Sequence, residues 1–386
     1  MRISDVETFV LKLEAQDAYL GVLPDGSPVP EGYQVRPPWR SLYSPRFETL
    51  LVKITAEDGT AGWGEALAPV APEVPAAIVN QLLKPTLIGA SATRPRPSWS
   101  TLTELMRERG HLVGHQADAL AAVDIALWDL AGNLAGRSIS SLLGGAYRTT
   151  IPTYVSGLPE PDDEGRARLA AQWESRGAVA VKLHLGHGVD ADLATVSAVQ
   201  KAAPGLRVAV DGHWAYTLEE SLALSEGLAA RHCWFLEAPL PPEDEEGHAE
   251  LCSRSRIPVA VGEALRNRYE FARWLKARAL RIAQPDVGRT GITEALSIAE
   301  LCSAHHVTVA PHHSVGMGIA LAAGLQLSAA IGPFCTFEYQ PTSTEVGQRI
   351  LRRPISPNAD GFALPEGPGL GIEVDESTIR QIAQES

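Results

Sequence analysis

Residues 207–217 read RVAVDGHWAYT, a short apolar β-type run that ends in Asp211, Gly212 and His213. Residues i and i+2 of a strand point to the same side, so we expect Asp211 and His213 to project together from the strand's end. A buried strand has no structural need for a carboxylate and an imidazole there. One such pair could arise by chance, so its meaning depends on whether the neighbouring strands end in the same way.

Short apolar strands alternate with helical stretches from residue 151 to residue 339. The strand segments are IPTYVSG, AVAVKLHLG, RVAVDGH, CWFLEAP, PVAVGEA, RIAQPDVG, HVTVAPHH and FCTFEY. The intervening segments carry helix start signals, such as Thr217 ahead of Glu219 and Glu220. Eight strand–helix units of this kind predict an α/β fold built on a parallel barrel.

Nearly every one of these strands ends in polar residues, and the ends recur at the length of one strand–helix unit. Asp211, Glu237 and Glu263, for example, follow one another at intervals of 26 residues. In a closed barrel the C-terminal ends of the strands converge on one face, so we expect a single shared site. The polar strand ends are Lys182, His184, Asp211, His213, Glu237, Glu263, Asp286, His312 and Glu338.

The three consecutive carboxylates Asp211, Glu237 and Glu263 predict a metal site. Converging carboxylates repel one another unless a cation lies between them, and an all-oxygen ligand set favours Mg²⁺ over zinc. Any one of these acids could instead cap the following helix or pair with a nearby base. Three in a row at unit spacing favour the metal.

Two groups of possible bases flank the predicted metal. Lys182 and His184 share one strand face, and His312 lies on the seventh strand, across the barrel. Asp286, one strand earlier, is placed to hold the His312 imidazole in one tautomer. This arrangement is typical of proton removal next to a carboxylate, with the cation stabilising the enediolate.

The composition favours a small-molecule enzyme. The chain has 386 residues, 45% of them hydrophobic, with a formal charge of −13 and a sequence pI near 5.4. No basic run with interleaved aromatics is present, so we expect no nucleic-acid partner. The N-terminus lacks a signal core and no stretch reaches membrane-spanning length, so we expect a cytoplasmic protein without a membrane partner. Four scattered cysteines suggest neither disulfides nor a zinc site.

The motifs KLH, VDGH, FLEAP, VGEA, QPDVGRTG, APHHSVGMG and FEY resemble the mandelate racemase branch of the enolase superfamily, that is, the mandelate racemase/muconate lactonizing enzyme family. The segments GTAGWGEA and LPEGPGLGIEVD extend the resemblance over essentially the whole chain. It implies a (β/α)7β TIM-like barrel with an N-terminal α+β capping domain. We place the cap at residues 1–125, the barrel at 126–345 and a C-terminal segment that returns to the cap at 346–386.

The resemblance also implies roles for individual residues. Asp211, Glu237 and Glu263 match the Mg²⁺ ligands, and Asp286 and His312 match the base dyad, with His313 as a rival to His312. Lys182 matches the first lysine of a K-x-K motif whose second lysine is His184 here, which weakens a racemase assignment. Glu338 matches the acid near the substrate carboxylate. A histidine at position 213, where many members carry asparagine, resembles acid-sugar dehydratases, in which it protonates the departing hydroxyl.

We therefore expect a Mg²⁺-dependent hydro-lyase that dehydrates an aldonate or aldarate to a 2-keto-3-deoxy acid, with His213 or His184 as the acid. An epimerase, a racemase or a sugar-lactone cycloisomerase with the same enolate is the alternative, since the flanking segments also resemble galactarolactone cycloisomerases. A metal-binding barrel without catalysis is a further alternative, against which the complete residue set argues. The cap loop offers Tyr33, Arg36, Arg40 and Arg46 to the substrate. The resemblance also implies a homo-oligomer built from dimers.

Overall fold

The computed structural model describes residues 1–14, 32–35, 37–109 and 112–386. The chain begins with a three-stranded antiparallel sheet in the order β1 (Ile3–Leu13), β4 (Phe47–Ala56), β5 (Ala61–Ala66). A small antiparallel ribbon of β2 (Gln34–Val35) and β3 (Leu42–Tyr43) lies between β1 and β4 in sequence. The alternating apolar residues of β1 become its buried face.

Helices cover one side of this sheet. They are α1 (Glu73–Ile78), a π-helical turn Val79–Leu83, α2 (Lys84–Leu87), α3 (Pro95–Met106), a 3-10 turn Arg107–Arg109 and α4 (Gly114–Ala135). Helix α4 lies directly on β5 because Gly62 and Gly64 of the GWG sequence have no side chain there: a Cβ at Gly64 would collide with the carbonyl oxygen of Ala122. Helix α4 is continuous across the expected boundary at residue 125, so a division there would cut a helix.

After α4 come α5 (Ile139–Leu142) and β6 (Thr150–Ile151), and then the barrel. Eight strands within the described chain form one parallel sheet in the order β13-β12-β11-β10-β9-β8-β7-β14. They are β7 (Thr153–Ser156), β8 (Ala180–His184), β9 (Arg207–Asp211), β10 (Leu236–Glu237), β11 (Val259–Val261), β12 (Ile282–Ala283), β13 (Thr308–Val309) and β14 (Phe337–Tyr339).

The sheet closes on itself between β13 and β14. The N–H of Val309 donates to the carbonyl of Pro333 at 2.8 Å, and the N–H of Cys335 donates to the carbonyl of Val309 at 2.7 Å. The outer helices are α6 (Asp163–Ser175), α7 (Val189–Ala202), α8 (Leu218–Ala230), α9 (Glu245–Arg254), α10 (Arg268–Ala277), α11 (Val287–Ala304) and α12 (Gly318–Ala330). The expected barrel with its N-terminal α+β cap is confirmed, and so is the capping box at Thr217 and Glu220.

The C-terminal part contains α13 (Pro341–Gly347), a 3-10 turn Gln348–Ile350, β15 (Phe362–Ala363) and α14 (Glu376–Glu385). Helix α14 lies on β1 and β4 of the cap, where Arg380 pairs with Glu7 at 2.8 Å and Lys53 with Glu376 at 2.8 Å. Among the described residues, every helix is too short or too polar to pass through a lipid bilayer. The four cysteines are free thiols, three of them buried.

The cap also holds the start of α12, which follows the seventh strand. The buried carboxylate of Glu65 accepts the N–H of Met317 and the N–H of Ala320, both at 2.7 Å. An acceptor of this kind satisfies N–H groups that have no partner in the first turn of a helix. Glu65 therefore fixes the cap to the barrel directly above the strand that ends in His312.

Candidate active site

A cavity of about 160 Å³ lies between the cap and the C-terminal ends of the barrel strands. The cap contributes residues around Trp39, Tyr43 and Arg46, and the barrel contributes the polar strand ends. Of the residues expected from the sequence, the cavity is lined by Lys182, His184, Asp211, His213, Glu263, His312 and Glu338. The structure therefore brings most of the expected residues to one site.

Lys182 is the cationic centre of this site. Its ammonium is buried and lies 2.8 Å from Glu237, 2.7 Å from Glu338 and 3.9 Å from Asp211. Burial alone would lower the pKa of Lys182, but the carboxylates around it, Glu237 and Glu338 foremost, raise that pKa well above its ordinary value. The lysine therefore stays charged and offsets part of the negative charge of the strand ends.

The charged form of Glu237 is disfavoured by its buried position among other carboxylates. Burial raises the pKa of its carboxyl to about 8, an effect that Lys182 opposes and Asp211 reinforces. Its second oxygen accepts a hydrogen bond of 2.6 Å from the side-chain amide of Gln284. A group in this state is stabilised by additional positive charge, which a divalent cation would supply.

His312 lies between three carboxylates. Its Nδ1 is 2.6 Å from Asp286, and its Nε2 is 2.9 Å from Glu263 and 3.7 Å from Glu338. Burial would lower the pKa of His312, but Glu338, Asp286 and Glu263 raise it well above the ordinary value. A cation bound by Glu263 would withdraw one of these three carboxylates from the ring, which would lower the pKa of His312 toward the range of a general base.

The neighbouring His313 has different surroundings. Its ring stacks on Phe337 with centroids 5.7 Å apart, and burial lowers its pKa to about 4. Its Nε2 is buried without a hydrogen-bond partner among the described residues. The contact with Asp286 belongs to His312, the histidine preferred from the sequence.

The two remaining expected histidines lie on neighbouring strand ends. His184 is neutral, because burial lowers its pKa to about 4, and its Nε2 lies 3.1 Å from the hydroxyl of Ser156. The Nε2 of His213 lies 3.2 Å from Ser41 and 3.1 Å from Tyr43, two hydroxyls of the cap. His213 and Trp214 have φ angles of 41° and 58°, so the turn after β9 adopts a left-handed conformation that aims the imidazole at the cap.

The donor set suits a hard divalent cation. The ligand atoms of Glu237, Glu263 and His312 lie within 4.8 Å of one another. Asp211 is not part of that described group: one of its oxygens accepts the N–H of His213 at 2.9 Å, and the other lies 3.9 Å from the ammonium of Lys182. All three predicted ligands are nevertheless oxygen donors at adjacent strand ends, which is the chemistry Mg²⁺ prefers.

Of the cap-loop residues expected at the substrate and described by the structure, Tyr33 and Arg40 do not line the cavity, whereas Arg46 does. The Tyr33 hydroxyl donates to Glu48 at 2.8 Å and accepts the N–H of Ala71 at 2.9 Å, so it is used within the cap. Arg40 is exposed and does not line the cavity, and Arg36 lies outside the described residues. Arg46, which was also expected from the sequence, lies seven residues after Trp39 and lines the cavity with it.

Several cavity residues were missed by the sequence analysis. Trp39 reaches from the cap and donates its indole N–H to the carbonyl of Leu185 at 2.9 Å. Arg289 lines the cavity from the first turn of α11, inside the QPDVGRTG motif. Two further residues were missed that do not line the cavity but bond to site residues: Gln284 in the same motif bonds to Glu237, and Ser156 at the end of β7 bonds to His184. Both are polar strand-end residues, and that position was the available signal.

Two family models match the chain. The model described as mandelate racemase / muconate lactonizing enzyme, N-terminal domain, matches residues 40–144, and the model described as enolase C-terminal domain-like matches residues 165–378. The second match alone covers more than half of the chain.

Similar proteins include a D-galactarolactone cycloisomerase of Agrobacterium fabrum, 35% identical over 86% of this chain and 90% of the relative. A D-galactonate dehydratase of Ralstonia nicotianae is 31% identical over 86% of this chain and 90% of the relative. A solved enolase-superfamily member from Agrobacterium tumefaciens is 38% identical and superposes with a TM-score of 0.93 over 98% of both chains. With its capped barrel, its buried lysine and its His312–Asp286 pair, the chain belongs to the mandelate racemase/muconate lactonizing enzyme family of the enolase superfamily.

Proposed function

We propose that this enzyme removes the proton α to the carboxylate of an acid sugar and completes a dehydration to a 2-keto-3-deoxy acid. The observation that carries the proposal is the position of His312. This histidine lines the cavity, and its Nδ1 is held by Asp286. A histidine held in this way by a carboxylate is a typical general base.

Mg²⁺ would be held by Asp211, Glu237 and Glu263. When bound, it would supply the Lewis-acid stabilisation of negative charge that develops on the substrate carboxylate after proton loss. Lys182 lies between Glu237, Glu338 and Asp211 and offsets their combined charge, so the site can accept an anionic substrate. Arg46 and Arg289 add positive charge at the wall of the cavity.

Two histidines of the chain carry out the two proton transfers. His312 takes the α-proton, and Asp286 holds its Nδ1 side. His213 donates a proton to the departing β-hydroxyl, so water leaves and the enol product becomes the 2-keto-3-deoxy acid. Relatives named as galactonate and arabinonate dehydratases support this branch.

A lactone cycloisomerase is the second candidate. It shares the first proton transfer but opens a lactone in place of losing water. Two observations favour it: the 35% identical relative is named as a galactarolactone cycloisomerase, and the Nε2 of His213 is engaged by the hydroxyls of Ser41 and Tyr43.

Proton NMR of the enzyme with Mg²⁺ in D₂O, against aldonic acids, aldaric acids and their lactones, tests the proposal. A new C3 signal of the 2-keto-3-deoxy acid, in which C3 carries one proton and one deuteron from the solvent, is the expected result. Loss of the α-proton signal without dehydration would assign the chain to the isomerases. If neither signal changes with any acid sugar, the proposal is wrong.

Two variants separate the steps. His213→Gln should keep α-proton exchange and abolish the 2-keto-3-deoxy product, whereas His312→Asn should abolish both. His305→Asn is the matched control, because His305 is exposed at the end of α11, outside the cavity. Dehydration that survives His213→Gln would move the acid role to another residue.

A further inference from the structure

Ser156 connects two residues of the site, and the mechanism above gives it no role. Glu338, Ser156 and His184 stand at the ends of β14, β7 and β8, which are three adjacent strands. The Ser156 hydroxyl lies 3.1 Å from Nε2 of His184 and also hydrogen-bonds to the Glu338 carboxylate. Glu338 and His184 line the cavity, and Ser156 is buried beside them, only 2% exposed.

The direction of these hydrogen bonds follows from the donors available. Burial would raise the pKa of Glu338, but the charges of Lys182 and His312 outweigh it and lower that pKa to about 2. Glu338 is therefore a carboxylate and can only accept. The hydroxyl of Ser156 has a single hydrogen, and a bond to a buried carboxylate is roughly twice as strong as one to a neutral acceptor. Ser156 therefore donates to Glu338 and accepts from the His184 ring.

We propose that Ser156 is a positioning residue that holds His184 as the Nε2–H tautomer, which leaves an unprotonated Nδ1 as a hydrogen-bond acceptor in the cavity. His184 lines the cavity, and its Nδ1 has no hydrogen-bond partner among the described residues. The ring is also neutral at pH 7, because burial lowers its pKa to about 4. Geometry and charge thus agree on one tautomer.

In this tautomer, the nitrogen of His184 that faces the cavity can accept a proton but cannot donate one. An Nδ1 lone pair accepts a proton or a substrate hydroxyl hydrogen, and it does not donate to a leaving hydroxide. Strand β8 is separated from β13 by β7 and β14 on one side and by four strands on the other, so His184 and His312 approach the cavity from different sides. His184 becomes a second acceptor facing His312, and proton donation is left to His213. The catalytic part of this inference rests on the proposed function, whereas the tautomer does not.

Nitrogen-15 NMR of the enzyme labelled at histidine measures the tautomer without any substrate. Two-bond correlations between the protons on the ring carbons and the ring nitrogens distinguish a protonated nitrogen from an unprotonated one. The signals of His184 are those that disappear from the spectrum of the His184→Gln variant. We expect protonated Nε2 and unprotonated Nδ1 at pH 7. An Nδ1–H tautomer or a doubly protonated ring in the wild-type enzyme would overturn the proposal.

Two substitutions test the part played by Ser156. Ser156→Ala should give a mixture of tautomers, whereas Ser156→Thr, which keeps the hydroxyl, should retain the Nε2–H form. An unchanged single tautomer in Ser156→Ala would show that Ser156 does not position the ring. If neither variant folds, the wild-type spectrum still decides the tautomer.

Kinetics complete the test on any acid sugar that the enzyme accepts. Ser156→Ala should lower kcat of α-proton exchange by about tenfold with little change in KM, since acid–base efficiency depends on the correct protonated form. Ser156→Thr should restore most of kcat. A rise in KM at unchanged kcat would contradict the positioning role. If no acid sugar reacts, the proposed function fails, while the NMR result stands by itself.

Discussion

Nδ1 of His312 lies 2.6 Å from Oδ2 of Asp286, and the two residues come from adjacent strand ends 26 positions apart in the chain. The backbone reinforces the contact, because the N–H of His312 donates to the carbonyl of Pro285 at 3.1 Å. Asp286 also caps α11 by accepting the N–H of Gly288 at 2.7 Å, so its carboxylate is held at both oxygens. Side-chain and backbone contacts therefore both hold the two residues together.

Asp286→Asn should lower kcat of α-proton exchange by about 10³- to 10⁴-fold, since an amide can hold His312 in the wrong tautomer. The fold should survive, because an asparagine is also a good helix cap. Exchange into D₂O followed by NMR measures the effect. Exchange at the wild-type rate would show that the dyad is not the base.

Glu237→Gln should abolish the thermal stabilisation by Mg²⁺. In the wild-type protein we expect about 3 kcal/mol at a Mg²⁺ concentration 100 times its Kd, because the cation binds only the folded state. Differential scanning calorimetry with Mg²⁺ and with EDTA gives the difference. Glu219→Gln, on the exposed face of α8, should behave like wild type. Equal stabilisation of both variants would reject Glu237 as a ligand.

Lys182→Met should destabilise the protein by about 3 to 5 kcal/mol, since it leaves Glu237 and Glu338 buried without their cation. The double variant Lys182→Met/Glu338→Gln should recover part of that loss, as measured by urea unfolding. Lys201→Met, an exposed lysine in α7, is the control. A double variant less stable than either single variant would show that the Lys182–Glu338 pair is not the source of the effect.

The free energy of unfolding should fall as the pH rises from 5 to 8, partly through Glu65. Burial raises the pKa of Glu65 from 4.5 to about 7, so in this range the folded state binds a proton that the unfolded state has lost. The stabilisation is complete below the pKa that Glu65 has in the unfolded chain, and it is lost as the pH rises through the pKa that Glu65 has in the folded protein. Its upper limit is about 3 kcal/mol. Glu65→Gln should flatten this slope, whereas Glu104→Gln, exposed on α3, should not. Equal slopes in urea titrations of all three proteins would be the contrary result.

Arg46→Ala should raise KM for acid sugars, because Arg46 lines the cavity and its charge faces an anionic substrate. We expect a change of about fivefold to tenfold, the effect of one partly solvated charge. Arg40→Ala, from the same loop but outside the cavity, is the matched control and should leave KM unchanged. Similar changes in both variants would indicate a long-range charge effect.

The barrel and most of its polar strand ends followed from the sequence alone. The signal is local: an apolar run of strand length, a polar residue at its end and a helical stretch before the next run. Parallel strands in a closed barrel leave little choice about where such ends meet. Asp211, Glu237, Glu263, Asp286 and His312 could therefore be assigned to one site before any contact was known.

The hydrogen-bond partners and cavity contacts of these residues were decided only by the tertiary structure. Ser156 is small and uncharged, and its role depends on Glu338 and His184, which lie 182 and 28 positions away. Tyr33 and Arg46 stand in one polar loop, yet Tyr33 hydrogen-bonds within the cap and Arg46 lines the cavity. Sequence periodicity determines which residues share a strand end, whereas side-chain contacts between strands and across the cap depend on packing in three dimensions. That is why the chain's own pattern determined the barrel and its site, and the fold decided which hydrogen bonds complete it.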